Sequence, residues 1–170
     1  MALDTIAFLE QVVGGPAPLL GHSDGAPVAL LAALKRPDLV PALVLGAGVF
    51  HHDGWAPGAI DMDDELRAFF RDYRAEVVPQ PERFDAVVEK LDRMHREEPT
   101  LTPADLAAYS GRALVMVGDG DWEIPIAHTL ALRDGLRAQL AVVPGTGHGL
   151  FAEKPALCNR IVIDFLEEQP

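Results

Sequence analysis

Gly21-His22-Ser23-Asp24-Gly25 decides how the rest of this chain is read. The pentapeptide follows an apolar run and precedes an apolar helical stretch, so a serine stands at a strand-to-helix junction with a glycine two residues to either side. A serine Oγ becomes a useful nucleophile when a sharp turn lifts it clear of the backbone, and such a turn crowds the residues two before and two after it. Glycine at both positions is expected to relieve that crowding. The chain has two serines, and with 15 glycines in 170 residues the chance of a given serine being flanked this way is about 1 in 130. Ser110, with Ala108 and Arg112 at those offsets, lacks the pattern.

Outward from the turn, the chain alternates strands and helices. Pro18-Leu19-Leu20 reads as a short buried strand into the turn, and Ala26 to Leu34 as a buried helix that tolerates Pro27 in its first turn, where the missing N–H needs no partner. Ala42-Leu43-Val44-Leu45 is the next strand, which makes a parallel crossover unit. Upstream, Ala2, Ile6, Leu9 and Val13 are spaced for an amphipathic helix closed by Gly14-Gly15. The alternation resumes with a strand at 114–117, a helix at 126–136, a strand at 140–143 and a helix at 157–166. In parallel α/β sheets the ligand crevice lies at the carboxyl ends of the strands. That rule brings Ser23, Asp119, Asp121 and His148 to one rim.

Between the two halves, residues 51–108 change character, with 14 acidic and 7 basic side chains in a chain whose net charge is −12. Leu66, Phe69, Phe70 and Tyr73, and then Phe84, Val87, Val88 and Leu91, mark two amphipathic helices divided by Pro79-Gln80-Pro81. The reading is a helical excursion over the sheet, its charges a solvated face.

Composition narrows the function classes. A hydrophobic fraction of 49% suits a packed globule, and 170 residues suit one domain. The acidic balance opposes nucleic acid and anionic membranes as partners. No apolar run reaches the roughly 18 to 20 residues that span a bilayer, and Met1 to Gly15 lacks the basic start of a secretory signal. The expectation is a cytoplasmic protein. Cys158 falls on an apolar helical pattern and reads as a small buried hydrophobe.

Ser23, Asp121 and His148 follow one another in the chain order Ser, Asp, His, with Gly118-Asp119-Gly120-Asp121 after one strand and Gly145-Thr146-Gly147-His148-Gly149 after the next. In these motifs, in their order and in the central insertion, the chain resembles the α/β-hydrolase superfamily over nearly its whole length. The resemblance implies a three-layer α/β core made of residues 1–50 and 109–170, with a helical cap at 51–108. It implies a serine hydrolase of ester or related acyl bonds without cofactor or metal: Ser23 attacks, His148 moves the proton, Asp121 orients His148, and the Asp24 N–H is one oxyanion donor. The Asp24 carboxylate would oppose a nearby negative charge and is expected to point away or be solvated. Carbon–carbon bond hydrolysis and perhydrolysis use the same three residues.

Asp119 is the alternative acid, or else a turn residue satisfying backbone N–H groups. A calcium loop from Asp119, Asp121 and Glu123 is rejected, because Ile124 and Leu130 stand where its glycine and glutamate belong. His51-His52-Asp53 is not expected to hold an ion, since adjacent residues rarely converge on one. The family's second oxyanion donor comes from a loop upstream of the elbow, and about four early strands have no counterpart before Ser23. The strand at 18–20 then becomes an open apolar edge, from which self-association into a homo-oligomer is expected. The competing reading is a truncated or non-catalytic relative that binds or assembles rather than hydrolyses.

Overall fold

The computed structural model describes residues 1–77 and 80–168. Four strands form one all-parallel sheet in the order β1 (Leu19–His22), β2 (Ala42–Gly46), β3 (Arg112–Gly118) and β4 (Gln139–Val143). Leu19 pairs with Leu43, Leu43 with Ala113, and Leu114 with Gln139. An all-parallel sheet must be covered on both faces, and the alternation of side chains along its strands shows how that is done. Leu43, Leu45, Ala113 and Val115 point into one core with Leu30, Ala33, Leu132 and Leu136. Their neighbours Ala42, Val44, Leu114 and Met116 point into a second core with Leu150, Cys158, Val162 and Phe165.

The first face is covered by α1 (Ala2–Phe8), α2 (Gly25–Lys35) and α6 (Ile126–Leu136), the second by α7 (Leu150–Glu153) and α8 (Pro155–Glu167). The result is three layers. The α1 pattern runs on through a wider π turn at Leu9–Val13 and stops at Gly14, whose φ of 78° closes it in the left-handed region. Cys158 is buried, its thiol donates to the Leu150 carbonyl at 3.3 Å, and burial pushes that thiol up from its ordinary pKa.

Among the described residues β1 pairs with β2 alone, and Leu20 on this outer strand is 51% exposed. Between β2 and β3 the chain leaves the sheet and forms α3 (Asp64–Val77), α4 (Phe84–Glu97) and the short α5 (Pro103–Leu106). Pro79, part of the expected divider between the two longer helices, lies outside the described residues. The excursion is cinched at its base, where the His52 N–H donates to the Pro99 carbonyl at 2.7 Å and the Leu101 N–H to the Phe50 carbonyl at 3.1 Å. An isolated antiparallel bridge joins His51 to Thr100 between them. α4 buries Phe84 and Val88, whereas α3 buries none of its side chains. Among the described residues no helix is long and apolar enough to cross a membrane.

Candidate functional site

The turn after β1 is as sharp as its glycines require. Ser23 has φ of +52°, a left-handed conformation that costs a non-glycine residue about 1 to 2 kcal/mol. Two backbone hydrogen bonds hold it there, from the Ser23 N–H to the Gly46 carbonyl at 3.0 Å and from the Ala26 N–H to the Ser23 carbonyl at 2.9 Å. A side chain at Gly21 would collide with the Gly25 carbonyl and the Ala26 Cα. Gly25 differs from the expectation: a Cβ there meets nothing within 4 Å. The crowding is one-sided, because the helix start is the obstacle and the strand residue is what must stay small.

Three side chains distant in sequence meet at the rim. His148 Nε2 lies 2.8 Å from Ser23 Oγ, and His148 Nδ1 lies 3.2 Å and 3.3 Å from the two carboxylate oxygens of Asp121. Asp121 is positioned by the turn after β3, where its Oδ1 accepts the N–H groups of Glu123 at 2.9 Å and Ile124 at 3.1 Å. Its side chain is 0% exposed. Burial by itself pushes the Asp121 carboxyl up, but the hydrogen bond from His148 and the two backbone donors outweigh it and hold the group below its ordinary pKa. Burial likewise pulls His148 down, yet the Asp121 hydrogen bond and the charges of Glu123, Asp121 and Asp24 raise it above 6.5. An ionised Asp121 fixes the imidazole proton on Nδ1, which leaves Nε2 free to accept the Ser23 hydroxyl proton.

Neighbouring groups complete the frame. His22 Nε2 donates to the His148 carbonyl at 2.7 Å, so the residue before the serine steadies the loop that carries the imidazole. Asp119 accepts the N–H groups of Gly145 at 2.6 Å and Thr146 at 3.3 Å; it closes the turn beneath His148 rather than facing it. Glu123 Oε2 stands 3.6 Å from His148 Nε2, and burial raises its pKa. The Asp24 side chain is 42% exposed, in keeping with the solvent contact the sequence suggested. It meets His95 Nε2 of α4 at 2.7 Å, while among the described residues the Asp24 N–H has no backbone or side-chain acceptor. Proximity in sequence gives no sign of that pair, whose members are 71 residues apart.

His51, His52 and Asp53 converge more than adjacent residues were expected to, with ligand atoms within 4.8 Å of one another. The His51 Nδ1 lone pair, however, already accepts the Asp53 N–H at 3.2 Å. The set therefore offers an ion one free imidazole nitrogen and an exposed carboxylate, a poor match to the three or four ligands of a zinc site.

His128 is structural. Its ring stacks on Phe50 at 4.3 Å and its Nε2 accepts the Phe50 N–H at 3.2 Å, so the neutral ring is the one that fits. Burial, and to a lesser degree His51, pull its pKa down from 6.5 to about 4. A depressed folded-state value means that the contribution is complete above pH 6.5 and is lost as pH falls toward 4. Allowing for the ring's partial solvent contact, about 2 kcal/mol of stability is expected to disappear over that window. Thermal melts at pH 7 and pH 4.5 check this: His128→Gln is expected to show a distinctly smaller acid-induced drop in Tm than the parent.

Comparisons with known proteins agree with this architecture. The sn-1-specific diacylglycerol lipase ABHD11 of Mus musculus is 25% identical, over 98% of this chain and 64% of its own length. The chain thus spans less than two thirds of that curated relative. Among solved structures, a meta-cleavage product hydrolase from Pseudomonas fluorescens IP01 superposes with a TM-score of 0.74 at 20% identity, covering 94% of this chain and 70% of that one. A thermophilic esterase superposes with a TM-score of 0.73 at 21% identity, covering 98% and 71%. These two likenesses establish the shared fold. Residues 2–161, which hold all four described strands, the insertion and the helical layers up to the middle of α8, match the alpha/beta hydrolase family, and the chain belongs to that family.

Proposed function

We propose that the chain is a serine hydrolase of carboxylic esters or related acyl bonds that works through an acyl-enzyme. The observation that carries this reading is the unbroken line from Asp121 through His148 to Ser23, with the hydroxyl 2.8 Å from the imidazole nitrogen that would take its proton. In the first half-reaction the Ser23 Oγ adds to the substrate carbonyl while its proton passes to His148 Nε2. The resulting oxyanion is held by the Asp24 N–H. The imidazolium, stabilised by Asp121 and by Glu123 at 3.6 Å, returns the proton to the leaving alcohol oxygen as the carbon–oxygen bond breaks. Water then adds to the acyl-enzyme with His148 again as base, releasing the carboxylic acid and restoring Ser23.

Among the described residues no strand precedes β1 to carry the family's second oxyanion donor. One donor fewer costs about 10² to 10³ in rate, so turnover by these residues alone is expected to be slow. The test is therefore covalent labelling rather than turnover. Incubation with a fluorophosphonate is expected to add one phosphonyl group at Ser23, read by mass spectrometry, and Ser23→Ala to abolish it. Absence of the adduct in the folded parent would reject the hydrolase reading.

The competing assembly reading draws on β1, whose outer edge is unpaired among the described residues and whose Leu20 is exposed. An apolar strand edge is a template for another chain, and a second copy pairing along β1 is its expected occupant. Light scattering that returns a monomer at high concentration would dismiss it.

A further inference from the structure

Resting on the hydrolase reading, we infer that the apolar groove between α3 and α4 is the acyl-chain site, and that the substrates are esters of long, apolar acyl groups. A cavity of about 130 Å³ lies over Ser23, and its walls include Trp55, Leu66 and Glu123. A larger groove of about 400 Å³ is walled by Phe70, Tyr73, Val77, Phe84, Val87 and Leu91. Asp24, Met62 and His95 line both, so the groove opens directly onto the nucleophile's cavity. The His95–Asp24 hydrogen bond, 2.7 Å long, forms the collar between them.

Two further observations fix the occupant. α3 is amphipathic yet buries no side chain: Phe70, Tyr73 and Val77 remain 40%, 56% and 55% exposed on the groove wall. A helix whose apolar stripe is not consumed by the protein's own core has that surface left for a ligand. The composition of the groove's walls then selects the ligand's chemistry. Of its charged side chains, Asp24 and His95 are paired with each other and Arg74 is the one other, so most of the surface offered is hydrocarbon, which suits an alkyl chain. Another cavity of about 230 Å³, bounded by Met1, Val28, Leu31 and Met94, also touches Asp24 and His95. It is the smaller, and its walls draw on α2, which is already packed on the sheet.

Each methylene buried in such a groove strengthens binding about fourfold. Fluorophosphonates bearing an octyl or an ethyl chain read this directly. The octyl reagent is expected to label Ser23 at least about 100-fold faster, since six extra methylenes enter the groove. Val87→Trp fills the groove and is expected to bring that ratio below about 10. Lys90→Trp, on the exposed side of α4, is expected to keep it. Should Val87→Trp fail to fold by circular dichroism, Leu91→Trp blocks the same groove. A parent ratio near one, or an unchanged ratio in the folded blocked variant, would overturn the assignment.

If neither reagent labels Ser23, the hydrolase reading fails by itself, and the groove is judged by calorimetry on Ser23→Ala. There ethyl octanoate is expected to bind at least about 100-fold tighter than ethyl acetate, and equal binding overturns the groove. Sedimentation with and without ethyl octanoate tests the rival occupant. A dimer that ethyl octanoate leaves intact but Val87→Trp abolishes would show that a second copy, not an acyl chain, fills the groove.

Discussion

Asp121→Asn is expected to lower kcat for ester hydrolysis by about four orders of magnitude while the fold survives. Asparagine is the same size, and its Oδ1 still accepts the N–H groups of Glu123 and Ile124 that pin Asp121. The loss is electronic. A carboxylate can only accept, so it holds the His148 proton on Nδ1; an amide NH₂ donates, which moves the imidazole proton to Nε2, opposite Ser23. A protonated Nε2 cannot take the serine proton. A second readout separates this from a packing defect. His148 stands above 6.5 because the Asp121 hydrogen bond and the surrounding carboxylates outweigh its burial, so parental kcat/KM should fall as pH drops through a value above 6.5. In the variant that acidic limb should move to lower pH. Activity within tenfold of the parent would show that the Asp121 carboxylate is not what holds the imidazole proton on Nδ1.

Gly21→Ala is expected to cost about 3 kcal/mol or more and to take most of the activity with it. The added methyl would collide with the Gly25 carbonyl and the Ala26 Cα. Those are backbone atoms at the start of α2, which cannot swing aside as a side-chain tip does. Relief requires the helix to shift away from β1, and the Ser23 Oγ moves with it, out of reach of His148. Gly25→Ala is the internal control. Its Cβ meets nothing within 4 Å, so a change within about 0.5 kcal/mol is expected. Urea unfolding of the two variants measures the asymmetry, and equal losses would contradict it.

That asymmetry marks where sequence reading ends. The two-residue spacing of glycines about Ser23 identifies the turn but treats both as equivalent; only the direction of α2 distinguishes them. Strands and helices were legible because their signals are local: apolar runs of four or five residues for β2 and β4, and the spacing of Leu66 with Phe70 and Tyr73 for α3. That Asp121 and His148 stand with Ser23 at one rim followed from glycine-rich turns after strands, whereas the preference for Asp121 over Asp119 came from the family resemblance; in the structure Asp119 bonds Gly145 and Thr146 instead. His95 was not legible. It sits on a helix among charged residues, and its meeting with Asp24 depends on how the excursion lies over the sheet. The convergence of His51, His52 and Asp53 was underestimated for a related reason. The two rings stack at 4.3 Å and thereby turn side by side, which a simple alternation of neighbours does not foresee.

The neck that joins Phe50 to Leu101 and His52 to Pro99 has a consequence for how such a protein changes over generations. Because the segments at 50–52 and 99–101 are hydrogen-bonded to each other, everything between them is a cassette whose ends are already tied. Lengthening or replacing it adds little loop-closure entropy, since that cost grows only logarithmically with length. New selectivity can be tried in the cassette without renegotiating the strands that hold Ser23, Asp121 and His148. The chemistry can stay fixed while the clientele turns over.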